Sequence, residues 1–227
     1  TFESVDIAVS HPEGDTVNER DSLRLTNLAT VVVDDIDQSN KQQRIFTPTI
    51  QNAVDAAGRR GADRGDNDQN DVINVRQGTY NESVRVDTAD LTLNGPNSGT
   101  PGDNSSNRSN EAKLRDTLNI RGVSGVTIDG FKIAETSSNN LVSGISIQPS
   151  SDSNITIKNN IIKNISEPGG GGTGDFSFGI LSFGGAISDV EIRQNKISNI
   201  GSKGNSQGLG VSLQRLNPGN DPSAGDG

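Results

Sequence analysis

A phrase of eight to eleven residues recurs three times in the second half of the chain, and such a recurrence narrows the choice of fold more than any average property does. The copies read VTIDGFKI from Val126, ITIKNNIIKNI from Ile155 and VEIRQNKISNI from Val190, beginning 29 and then 35 residues apart. Between them lies a second phrase, GISIQ from Gly144, GILSF from Gly179 and GLGVSL from Gly208. Each unit therefore holds two or three short strands parted by turns. Too few residues separate the strands for a crossover helix, yet the unit is far longer than a hairpin. A chain that winds round and stacks coil on coil meets both conditions. The expected fold is all-β, a right-handed parallel β-helix of about four to five coils.

A solenoid also accounts for the lean core. Hydrophobic residues make up 29% of the chain, with no Trp or Met, one Tyr and 27 Gly. That is little for a thick globular interior but enough for a thin column of inward Ile, Val and Leu. The 20 basic and 29 acidic residues give a net charge of −9, which argues against a nucleic-acid partner. The same balance suits a protein kept soluble outside a cell, or one from a halophilic source. Absence of Cys removes disulfides and thiolate metal sites. No run of 18 apolar residues predicts a membrane span. The chain opens at Thr1 without Met, as a processed or trimmed chain would, which is a hint of secretion.

Three segments are expected: an N-terminal extension over 1–46 whose strands pack on the solenoid end, the solenoid over 47–213, and a flexible tail over 214–227. Ile50, Ala53, Val54 and Ala57 share one helical face, so a capping helix is predicted over 48–57, with Thr47 as N-cap, Pro48 at the first helical position and Gly58 as its stop. The order TIQNAVDAA, a polar gap, then DVINVRQGTYNESVRV resembles the opening of right-handed β-helix proteins of the pectate-lyase-like superfamily. The resemblance covers roughly 48–213 and implies the fold together with carbohydrate-directed roles, binding or cleaving, at a cell surface or beyond it.

Superposing the copies sets Val126, Ile155 and Val190 in one inward column, Ile128, Ile157 and Ile192 in a second, and Ile133, Ile162 and Ile197 in a third. Phe131, Asn160 and Asn195 align at a bend, where Asn tolerates a left-handed backbone and stacked amides can bond up the solenoid. On the outside, Thr127, Thr156 and Glu191 form one column and Asp129, Lys158 and Arg193 another, the latter reading as an exposed ion-pair ladder. The loops at 94–116 and 166–178 are expected to protrude and to flank a binding face.

That face is read from the second phrase. The outward row expected there is Asn119, Arg121, Ser146, Gln148, Ser182, Ser212 and Gln214, a set of amides and hydroxyls with one Arg and no carboxylate. Glycoside hydrolysis uses two acids, so no catalytic residues are assigned and the leading expectation is recognition of a polysaccharide. Phe176, Phe178 and Phe183 either stack a sugar ring or, the preferred reading, fill the core. The rival functions are a polysaccharide lyase or hydrolase, and a structural subunit of a surface layer, filament or virion appendage. Asp66, Asp68 and Asn70 have the spacing that begins a calcium loop, without its Gly and closing Glu, and are the weak calcium candidates. His11, the sole histidine, assembles no catalytic triad. Asn81, Asn104, Asn107, Asn154 and Asn164 each start an N-glycosylation triplet. After Leu213 no apolar stripe follows that could cover Leu209, Val211 and Leu213, so either continuation into a longer solenoid or head-to-tail self-assembly is expected.

Overall fold

The computed structural model describes residues 31–35, 43–64, 71–104, 106–134, 143–148, 153–166, 176–183, 187–201 and 207–213, with side chains from Thr47 onward except in 59–64. The chain enters through a hairpin, β1 (Val31–Asp35) and β2 (Gln43–Thr47), and then a helix, α1 (Ile50–Arg64). It next winds as a parallel β-solenoid. The first pass is β3 (Val72–Val75), β4 (Gly78–Tyr80) and β5 (Val84–Val86). The second is β6 (Thr92–Asn94), β7 (Ala112–Leu114) and β8 (Leu118–Arg121). The third is β9 (Thr127–Asp129), β10 (Lys132–Ala134) and β11 (Ser143–Gln148). Then come β12 (Ile155–Lys158), β13 (Ile161–Ile165) and β14 (Phe176–Ser182). The last described are β15 (Val190–Arg193), β16 (Lys196–Ile200) and β17 (Gln207–Leu213).

Each pass gives one strand to each of three sheets. The first runs β15-β12-β9-β6-β3-β1-β2, the second β16-β13-β10-β7-β4 and the third β17-β14-β11-β8-β5. All pairings are parallel except those of β1, which lies antiparallel to both β2 and β3. The three repeated phrases superpose as their apolar spacing requires: Ile128, Ile157 and Ile192 are in register, as are Ile133, Ile162 and Ile197. Ile128, Ile133, Ile157 and Ile162 are fully buried. Each such side chain contributes about 1.5–3 kcal/mol of burial free energy, which is what clamps coil to coil.

The N-terminal end is closed by specific groups. Ile50, Ala53, Val54 and Ala57 are buried, so the helix presents the expected face to the solenoid interior. Its start differs from the sequence reading: Pro48 precedes the helix, and Thr49 is the N-cap, its hydroxyl accepting from Asn52 N at 3.1 Å. Thr47 instead donates to Thr49 O at 2.7 Å. Glu82, from the first pass, accepts from Ile50 N and Gln51 N, both at 3.0 Å, placing a carboxylate on the positive end of the helix dipole. Nor does the helix stop at Gly58. A Cβ there would lie 2.7 Å from Thr88 Oγ1, so this glycine permits close approach of helix to turn. Gln51 closes the edge of β5: its amide accepts from Arg85 N at 2.7 Å and donates to Arg85 O at 3.2 Å, as a neighbouring strand would.

The bends are also regular. Gly130, Asn159 and Gln194 take left-handed backbone at one corner, and Asp90, Gly125, Asn154 and Asp189 at another. The left-handed position thus falls one residue before the column of Phe131, Asn160 and Asn195, not on it. Those two asparagines do form the ladder. Asn160 accepts from Phe131 N at 2.9 Å and donates to Ile128 O at 3.1 Å; Asn195 accepts from Asn160 N at 2.9 Å and donates to Ile157 O at 2.7 Å.

The 94–116 segment does not protrude as expected. It folds back over this corner, tied by Gly102 N to Gln194 O at 2.8 Å and by Arg108, whose guanidinium donates to Thr100 O (2.8 Å), Asn159 O (2.6 Å) and Phe131 O (3.3 Å). Arg108 is also paired with Glu111 at 3.0 Å, its side chain only 2% exposed. Beneath the same segment, Asp129 is buried rather than exposed. It accepts from Ser98 Oγ (2.8 Å), Gly99 N (3.2 Å) and Asn159 Nδ2 (2.7 Å), with Lys158 Nζ at 3.6 Å. Arg193 turns to Glu191 at 2.8 Å, so the expected charge ladder breaks after its first rung.

Candidate functional site

The outer face of the third sheet is where the described polar residues gather around a cavity. Its central row follows from strand register: Arg85, Asn119, Ser146, Leu181 and Ser212 lie side by side along the solenoid. The residues Gly144 and Gly179 set this frame. A Cβ on either would meet an inward isoleucine methyl, of Ile162 at 2.7 Å and of Ile197 at 2.6 Å, so these positions face the core and can carry no side chain. Ile145 and Ile180, which follow them, are also fully buried, and alternation resumes from there.

Two expected positions change as a result. Ser182 pairs with Ile147 and Leu213 in an inward column and is fully buried, with its hydroxyl lacking a hydrogen-bond partner in the structure. Leu181 takes the outward place. Aligning Gly144 with Gly179 in the sequence matches Leu181 to Ser146 and Ser182 to Ile147, a signal that the polarity of Ser182 outweighed in the reading above. Asn119, Ser146 and Ser212 do share the outward row, while Arg121 and Gln148 are paired in the next row and stand outside the cavity lining. Gln214, His11 and the calcium candidates Asp66, Asp68 and Asn70 lie outside the described residues.

The cavity has a volume of about 470 Å³, within the range of small-molecule sites. Ser83, Asp116, Thr117, Asn119, Ser143 and Ser146 supply its polar lining, and Leu181 with Phe183 an apolar wall. The polar part is internally braced. Asn119 Nδ2 donates to Ser83 Oγ at 3.3 Å, Ser83 Oγ to Thr117 O at 3.2 Å, and Thr117 Oγ1 to Ser143 O at 2.8 Å. Asp116 Oδ1 accepts from Thr117 N at 2.7 Å, which fixes a carboxylate at the wall. The sequence reading missed Asp116 because it precedes its strand and belongs to no outward column.

The aromatics complete the description. Phe183 is 37% exposed and Phe176 41%, and the Phe176 and Phe178 rings stack with centroids 6.3 Å apart at 25°. The core reading is therefore replaced by a surface one for Phe176 and Phe183, Phe178 is half-buried, and among the described side chains Phe131 is the phenylalanine that is fully buried. Chemically, the described lining offers hydroxyls, an amide, one carboxylate and an apolar edge. It holds a single acid where a glycosidase uses two.

Among the described residues no group of three or more His, Cys, Asp or Glu gathers, and no helix is long and apolar enough to cross a membrane. Of the loop expected to flank this face at 94–116, the part around Gly102 and Arg108 lies over the other corner, between the first and second sheets, and its last residue, Asp116, reaches the cavity. The connection that includes 167–175, which leads into β14, lies outside the described residues. Compared with known proteins, the chain matches no family model, no curated protein and no solved structure.

Proposed function

We propose that this solenoid is a carbohydrate-recognition domain that holds a polysaccharide segment against its third sheet, at a cell surface or outside the cell. The observation that carries the reading is the junction of polar lining and apolar wall in one 470 Å³ cavity. A sugar ring presents hydroxyls at its rim and C–H groups on its faces. Asn119, Ser143 and Ser146 match the first, and Phe183 the second. The likeness to pectate-lyase-like β-helices noted in the sequence is consistent with this role and is part of the proposal, since a fold alone does not fix a function.

The test is a glycan array followed by titration calorimetry on the full chain. The expected outcome is binding to at least one polysaccharide class that weakens by about 1 kcal/mol in Phe183→Ala and by a similar amount in Asn119→Ala, with circular dichroism unchanged. Binding that both variants leave intact overturns the assignment to this cavity. Release of cleavage products from the bound polysaccharide would replace recognition by catalysis, and Asp116→Asn would then be the variant to lose it.

A further inference from the structure

The second sheet carries a surface that the cavity does not involve. Its outer positions follow from register: Thr79, Lys113, Lys132, Ile161 and Lys196 form one row along the solenoid, and Ala134, Lys163 and Ser198 the next. Four lysines therefore cluster on a face whose five strands contain no Asp or Glu, in a chain whose net charge is −9. None of the four has an ion-pair partner among the described residues. Glu111, an acid that acts on Lys132 through space, is already held by Arg108.

This arrangement opposes stability. Lys113 and Lys132 are direct neighbours on adjacent strands, about 4.8 Å apart in backbone spacing, where like charges destabilise a sheet. Partial burial, and then Lys163 and Lys113, pull the Lys132 ammonium below the ordinary lysine range. A sheet built only to close the solenoid has no use for such crowding, and an anion laid over it relieves the repulsion.

We infer that the lysine face of the second sheet binds a linear polysaccharide bearing carboxylate or sulfate groups, aligned with the solenoid axis. The row runs across the strands, so Lys113 and Lys132 stand one strand spacing apart and Lys196 two strands further along the axis, with Lys163 beside the intervening Ile161 in the next row, a spacing that an extended polyanion can follow. Duplex nucleic acid, with one charge per about 1.7 Å, is too densely charged for four lysines on a protein of this net charge. A lipid surface would engage exposed apolar or aromatic anchors, and the described strands here offer Ile161 alone.

Affinity electrophoresis of the full chain tests this, using gels containing polygalacturonate, dextran sulfate, neutral dextran or duplex DNA at low and high salt. The expected result is retardation by one or both acidic polysaccharides, none by dextran, and loss of the effect as salt rises. Replacing Lys113, Lys132, Lys163 and Lys196 together by Gln is expected to weaken retardation about ten-fold or more. Circular dichroism should be retained and the melting temperature equal or higher. Arg193→Gln, an exposed cation on the first sheet, should change nothing. No retardation by either polyanion, equal retardation of the four-lysine variant, an equal loss in Arg193→Gln, or stronger retardation by DNA would each overturn the inference. Cavity variants such as Asn119→Ala and Phe183→Ala should leave this binding intact, so this inference and the proposed function can fail separately.

Discussion

At the corner under the 95–111 segment, the charged groups are consumed by the fold, whereas on the outer face of the second sheet four lysines have no ion-pair partner among the described residues. Arg108 and Asp129 are both buried and bonded to several partners. Lys113 and Lys196 are exposed, and Lys132 and Lys163 half-buried, on strands that offer no counter-charge. The difference shows how a solenoid with a thin apolar column divides its polar residues. Those at the bends replace missing core volume by bonding successive coils together; those on the flat faces remain free to meet something outside. The third-sheet cavity is intermediate, since its side chains are braced by one another and still line open space.

The sharpest way to test this contrast is to remove Arg108. Arg108→Ala leaves the part-buried Glu111 without its ion-pair partner and takes the guanidinium donor from Thr100 O and Asn159 O, while Phe131 O keeps Ile161 N, and is expected to cost about 3–5 kcal/mol in urea unfolding. A loss below about 1 kcal/mol would mean that the segment is held by its backbone alone. Next is Asn160→Ala, which takes bonds from Phe131 N and Ile128 O on one side and from Asn195 on the other. About 2 kcal/mol is expected, because buried backbone groups are left unsatisfied.

The inner side of the lysine sheet supplies a pH test. Tyr80 is buried on β4, with its hydroxyl donating to Arg76 O at 2.8 Å. Burial, and after it Glu82, push its pKa up to about 12. The fold favours the neutral phenol, so this stabilising contribution is complete below the ordinary tyrosine pKa of about 10 and is lost as pH rises from there through about 12. A steep fall in melting temperature over that window, shallower in Tyr80→Phe, is the expected outcome, with absorbance at the tyrosinate band as the check on ionisation.

The smallest effect has the opposite sign. Lys132→Gln relieves repulsion from Lys113 and Lys163 and is expected to raise stability by about 0.5 kcal/mol at low salt, the gain fading as salt screens the charges. Destabilisation instead would place Lys132 among the residues the fold consumes, and the contrast with Arg108 would no longer hold.

Much of the fold was legible in the repeated phrases because parallel stacking translates a sequence period directly into register. Ile157 could stand only on Ile128 once both phrases were strands of successive coils, and a one-residue slip would have turned every isoleucine outward. The helix face at Ile50, Ala53, Val54 and Ala57 was equally fixed by its spacing. The errors came where a residue's surroundings are set by distant chain. Thr49 and not Thr47 caps the helix, and its first amides are met by Glu82, more than thirty residues away.

The candidate site was half legible. Asn119, Ser146 and Ser212 were placed on one face by alternation, and Gly144 with Gly179 held the information that Ser182 points inward. Phe176 and Phe183, both on the surface, could not be told from core phenylalanines by type, because a solenoid face is covered or left open according to which loop crosses it. For the same reason the burial of Asp129 under residues 98 and 99 had no signature in its own phrase.

By itself, then, the sequence determined the winding, the inward columns and the Asn ladder, since each depends on a period that the chain repeats. Tertiary structure alone decided where the 95–111 segment folds, that Asp116 stands beside Asn119 at a cavity, and that Lys113, Lys132, Lys163 and Lys196 share one face without an acid. Those juxtapositions join residues whose spacing along the chain is irregular, and only the closure of three sheets around one core brings them together.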